Sequence, residues 1–124
     1  MKDRDRPPQV VLRETRSLLS ILATRALYDE QPELWQLGER GRERTIEDFG
    51  HHFDALSSLN HDVFMKHVEY CETLFRARGL PQKWLDDAWR WMTTVIEREL
   101  PDSVAEPAIT VLAAATRRHK PLNG

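Results

Sequence analysis

Apolar side chains in this chain return every three or four residues, in segments cut apart by proline and glycine. Only a helix can bury that period on a single face. No segment sustains the alternation of a strand: β-branched residues are scattered, and no Asn-Gly or Asp-Gly pair marks a hairpin. The punctuation then predicts the helices one by one. Pro7-Pro8 closes a polar arm, and a helix follows from about Gln9 to Tyr28, with Val11, Leu18, Leu22 and Ala26 on one face and Leu19 and Ile21 widening the stripe. Gln31-Pro32 starts a short helical turn carrying Leu34, Trp35 and Leu37, which the glycines of Gly38-Glu39-Arg40-Gly41 loosen. A second long helix is expected from about Arg42 to Ser58, with Ile46, Phe49, Phe53 and Leu56 as its stripe. Asn60 is suited to cap the third helix, with Asp62 favourable in its first turn, and Arg78-Gly79 to close it. Pro81 opens a fourth that ends before Pro101, and Pro107 starts or kinks a last one bearing Ala108, Val111, Leu112 and Ala115. The expected fold is all-α: a single-domain bundle of four to five helices over residues 9–120, behind a flexible arm at residues 1–8.

Bulk properties narrow the function classes. A length of 124 residues is about one domain, and 31% charged with 40% hydrophobic residues fits a folded chain rather than a disordered one. A net charge of −2 gives no electrostatic case for nucleic acid or an anionic membrane. The longest apolar runs, such as Val111–Ala115, are far too short to span a bilayer. The opening MKDRDRPP lacks the pattern of a signal peptide, and the lone Cys71 cannot form an internal disulfide, so the cytoplasm is the expected compartment.

Chemistry concentrates between residues 38 and 56. Arg44, Asp48 and His52 follow one another at i, i+4 steps beside the apolar stripe. Asp48 can fix the His52 tautomer and Arg44 can keep Asp48 ionised, or the three can form a boundary network holding the helix to a neighbour. His51 points roughly the other way, toward solvent. On the third helix, plotted at about 100° per residue, Val63, Phe64, Cys71, Leu74 and Phe75 share a broad face, with His67 near its middle and Tyr70 at its edge. His67 reads either as a core histidine with a backbone or hydroxyl partner or as a pocket-lining imidazole. Cys71 reads as a small buried hydrophobe. The fourth helix puts Trp84 and Trp91 on one face with Ala88 and Val95, and Trp89 at the opposite border. These indoles can fill a core and an interface, or wall a slot for a flat ligand.

Enzymatic and metal signatures are absent as linear motifs. There is no HExxH, CxxC or G-x-S-x-G. The residues three after Glu43, Glu47 and Glu69 are Ile46, Gly50 and Glu72, which removes the Glu-x-x-His pairs of di-iron bundles. The glycines at 38 and 41 neither follow a strand nor precede a Gly-Lys-Ser/Thr, and His61 and His67, six apart, do not share a helical face. No catalytic residue and no metal ligand is therefore assigned. Acid/base chemistry by His52 and Asp48 is the weakest of three functional options.

The run RGRERTIEDFGHHFDAL, then DVFMKHVEYCETLFRARGLPQKWL and later ERELP, resembles an all-helical domain of bacterial proteins related to cobalamin-binding sensors, found upstream of, or without, the B12-binding Rossmann domain. The resemblance covers roughly residues 28 to 101, and Arg44, Asp48, His52, Phe64, Arg78 and Gly79 are the positions that match. It implies a helical bundle used in sensing, as a cap over a tetrapyrrole face. The Asp-x-His-x-x-Gly cobalamin motif and the Trp…Glu-His pattern of light-sensing B12 regulators are not present, so no lower-ligand histidine is assigned. The expectation is a non-enzymatic sensory module that holds a planar, tetrapyrrole-like ligand between helices two, three and four. His52, Asp48, Arg44, His67, Tyr70, Trp84 and Trp91 would contact it. The alternative is a protein-protein interaction or dimerisation domain in bacterial signalling, its partner a second copy or a signalling protein.

Overall fold

Helix boundaries in this chain fall where a backbone group would otherwise lack a partner. The computed structural model describes residues 6–117. Helix α1 spans Pro8–Glu30, a 3₁₀ turn Pro32–Leu37, α2 Gly38–Ser57, α3 His61–Ala77, α4 Gln82–Glu99 and α5 Asp102–Arg117, with no strand among the described residues. The Pro7 carbonyl accepts from the amides of Val10 and Val11 at 3.0 and 3.2 Å, which lets Pro8 stand at the first helical position where its missing N–H costs nothing. Asn60 caps α3 as expected, its Oδ1 accepting from the Val63 amide at 3.0 Å. At the other end Gly79, at φ +67°, lets the Leu80 amide reach back to the Phe75 carbonyl at 2.9 Å and closes the helix.

Two boundaries differ from expectation. Gly38 alone makes the turn, at φ +73°, and Gly41 then lies inside α2 rather than loosening the chain. A Cβ at Gly41 would come within 2.5 Å of the Leu37 Cβ, so the second glycine serves close packing of the 3₁₀ turn on α2. Helix α5 starts at Asp102, because the Pro101 carbonyl already accepts from Val104 and Ala105 at 2.9 Å. Pro107 therefore sits within the helix, near enough to its start that little more than one backbone bond is forgone. The expected arm at residues 1–8 lies outside the described residues through residue 5, and Pro8 belongs to α1; residues 118–120 of the expected bundle are likewise outside.

The buried faces also rotate relative to the sequence reading. On α1 the core side is Leu12, Leu19 and Ala23 with Ser20, Thr24 and Tyr28, while Leu18 is 53% and Ile21 37% exposed. Helix α1 touches α2, α4 and α5, so its buried strip is wide and includes polar residues that an apolar stripe cannot reveal; Ser20 satisfies itself on the Arg16 carbonyl at 2.7 Å. On α3, Val63 turns outward, and Met65 and Val68 join Phe64 and Cys71 in the core. On α4 the deeply buried indole is Trp89, not Trp84 or Trp91.

Helix pairing decides where a cavity can open. Helix α1 packs chiefly along α2 and next on α4, and α3 packs chiefly on α5. Sequence neighbours α2 and α3, and α3 and α4, touch only sparsely. A polar clasp ties the end of α1 to α4: Asp87, buried, accepts from Lys83 at 2.7 Å, Gln31 at 2.9 Å and Arg90 at 3.2 Å. Glu30 accepts from Arg90 at 2.7 Å and from the Trp91 indole at 3.1 Å. Burial alone would raise the Asp87 carboxyl, but these hydrogen bonds together hold it below its ordinary value. Among the described residues, no helix is long and apolar enough to cross a membrane.

Candidate functional site

The gap left by sparse α2–α3 and α3–α4 contact is a half-open cavity of about 690 Å³, closed on one side by the 3₁₀ turn through Leu34 and Leu37. That size falls within the range of small-molecule sites. Its surface is mostly apolar, from side chains such as Leu27, Leu74, Phe75 and Leu85. Six of the seven residues expected to bind ligand line it: Arg44, Asp48 and His52 from α2, His67 and Tyr70 from α3, and Trp84 from α4. Trp91 does not. Its indole is engaged by Glu30 in the clasp and its ring is covered by the Arg90 guanidinium, 5.0 Å from the ring centre.

At the inner wall two helices bring imidazoles together. His52 Nδ1 and His67 Nε2 are 2.8 Å apart, so one ring donates to the other. Trp89 lies beneath His52 with ring centroids 4.7 Å apart, Phe49 meets His52 edge-on at 6.0 Å, and Phe64 flanks His67 at 6.0 Å. Within this aromatic setting the charged imidazolium is disfavoured. Burial, then the neighbouring His67 and His51, lower His52 to about 3. His67, only partly buried, moves down for the same reason, with His51 adding to it. Cys71 lies one turn along α3, its Sγ 3.5 Å from His67 Nε2. Burial, reinforced by the negative charges of Asp48 and Glu72, pushes its thiol up to about 12. The site is thus two neutral imidazoles and a protonated thiol facing an apolar space.

Nearer the solvent the cavity is ionic. Arg44, Asp48, His51 and Arg78 all line it. Asp48 is exposed as a residue, yet the surrounding protein desolvates its carboxyl enough to raise it; Arg44 and His51 oppose that shift, as Arg78 does more weakly. Asp48 does not orient His52, contrary to the expectation from their i, i+4 spacing. The His52 ring turns to His67 because a neutral, buried imidazole is satisfied by a neutral partner, without the cost of burying a carboxylate beside it.

Two features escaped the sequence. Trp89 underlies the histidine pair, and a signal for it existed: Leu85, Trp89, Met92 and Ile96 recur at i, i+4, i+7 and i+11, the stripe that is buried. The second is the meeting of His52, His67 and Cys71, whose donor atoms all lie within 4.8 Å of one another. His67 and Cys71 are one helical turn apart and could have been paired, but His52 arrives from another helix, and no local spacing announces it. No known protein-family model, curated protein or solved structure matches this chain, so the resemblance to the cobalamin-sensor helical domain rests on its residue pattern alone.

Proposed function

We propose that this chain is a cytoplasmic, non-enzymatic sensory module that binds a flat, largely apolar small molecule of tetrapyrrole type between α2, α3 and α4. The observation that carries the reading is the cavity of about 690 Å³, apolar within and ionic toward its mouth. Apolar walls reward a hydrophobic ring system, while Arg44 and Arg78 suit the carboxylates that such ligands carry at their edges. His67, only partly buried and on the cavity wall with His51 and His52, offers an imidazole to a ligand. Exposed Leu37, Tyr70 and Trp84 at the same cavity favour a second reading, in which the apolar rim docks a partner protein or a second copy.

Titration of haem, biliverdin and cobalamin into the full chain, followed by tryptophan fluorescence and visible absorbance, tests the first reading. At least one is expected to saturate below ~10 μM, about 7 kcal/mol, and Leu74→Trp, which fills the cavity, is expected to weaken that binding at least tenfold. If none of the three saturates below that concentration, the tetrapyrrole reading fails. Light scattering then decides the alternative, since dimers lost on Trp84→Lys would point to the rim.

A further inference from the structure

We infer that His52, His67 and Cys71 form a binding site for a thiophilic divalent metal ion of the zinc type, with its fourth coordination position open to the cavity. The donor set is the first reason. One sulfur and two imidazole nitrogens suit zinc and its neighbours, and do not suit calcium or magnesium, which take oxygen ligands. The placement is the second. His67 and Cys71 stand one turn apart on a single face of α3, the spacing by which a helix offers two ligands to one ion, and His52 supplies the third from α2.

All three donor atoms lie within 4.8 Å of one another, and two of their separations are close to what coordination requires. With metal–nitrogen bonds of about 2.0 Å and a metal–sulfur bond of about 2.3 Å, tetrahedral geometry places nitrogen and sulfur roughly 3.5 Å apart and two nitrogens roughly 3.3 Å apart. His67 Nε2 and Cys71 Sγ are already separated by 3.5 Å. His52 Nδ1 and His67 Nε2 are 2.8 Å apart, joined by the proton they share, so an ion between them requires the rings to part by about 0.5 Å. The exchange balances: the shared proton shifts to the far nitrogen of its own ring, the Cys71 thiol proton leaves to solvent, and three metal–ligand bonds form. The three residues all face the cavity, so water or a donor atom of a cavity ligand completes the shell. Three protein ligands with one open position is the arrangement of zinc sites that bind or polarise an exogenous group, rather than of closed structural ones. The site holds whether or not the cavity takes a tetrapyrrole, because its ligands are all protein atoms.

Cobalt(II) titration of the chelator-treated full chain is the test, with zinc(II) as competitor and circular dichroism confirming that the helices persist. The expected result is one equivalent of bound cobalt, with a thiolate-to-cobalt charge-transfer band and the intense visible bands of tetrahedral coordination. Zinc should erase both. Cys71→Ser should remove the charge-transfer band, and His67→Gln should weaken binding at least tenfold. A folded wild-type chain that develops no such spectrum overturns the assignment, as does a spectrum unchanged by Cys71→Ser.

Discussion

A buried imidazole that stays neutral costs little, whereas a protonated one in the same place loses its hydration, and His52 makes that difference measurable. Its folded-state value of about 3 lies below the ordinary 6.5. Between those values the unfolded chain binds a proton that the folded chain refuses, so stability declines as pH falls from about 6.5 toward 3. His67 shifts in the same direction and adds to the slope. In metal-free protein the urea midpoint is expected to drop steadily between pH 7 and pH 4.5, and His52→Gln to flatten that drop. Equal slopes in the two proteins would show that His52 is hydrated. Tryptophan burial makes a second residue-scale prediction. Trp89→Ala should cost about 3–5 kcal/mol and Trp84→Ala about 1 or less, because only the first leaves a hole in packed aromatics. Chemical denaturation reads both, and equal losses would contradict the burial order.

Helix ends are held by single bonds, which makes their contributions separable. Asn60→Ala removes the side-chain acceptor for the Val63 amide and should cost about 1 kcal/mol, whereas Asn60→Asp should be nearly neutral. Gly79→Ala meets no atom within 4 Å, so its cost is conformational alone, about 1–2 kcal/mol for a left-handed residue bearing a Cβ. Both losses should appear as shifted denaturation midpoints at an unchanged slope. A change in slope would mean that α3 frays as a separate unit. Pro107 is the contrary case. The helix runs through it because α5 has already begun at Asp102, and a strong local breaker is tolerated there.

Across the molecule, the clasp around Asp87 fixes how far α1 and α4 stand apart and so bounds the cavity, which Gln31 and Asp87 both line. Asp87→Ala leaves Lys83, Gln31 and Arg90 without their common acceptor and should cost about 1.5–3 kcal/mol. Hydrogen exchange is expected to speed up selectively at the end of α1 and the start of α4. Uniform acceleration would show that the clasp is no local tie. Ligand or metal that binds only the folded chain should raise the melting temperature with concentration.

Most of the fold was legible along the chain because caps, prolines and a 3.6-residue period act within a few residues of where they are written. Asn60, Gly79 and Pro81 marked real boundaries, and Phe49, Phe53 and Leu56 marked a real face. Arg44, Asp48 and His52 could be placed along one cavity wall for the same reason, since one helix carries all three. The stripe of Leu85, Trp89, Met92 and Ile96 carried the choice of Trp89 as well, but local order could not supply the rotation of α1 or the partner of His52. Both depend on which helices meet, and here α3 seats itself chiefly on α5, and α4 on α1 and α5, with little contact between α2 and α3 or between α3 and α4. That pairing leaves the cavity open and carries His52 across to His67 and Cys71, a contact between residues whose separation in the chain holds no periodic trace.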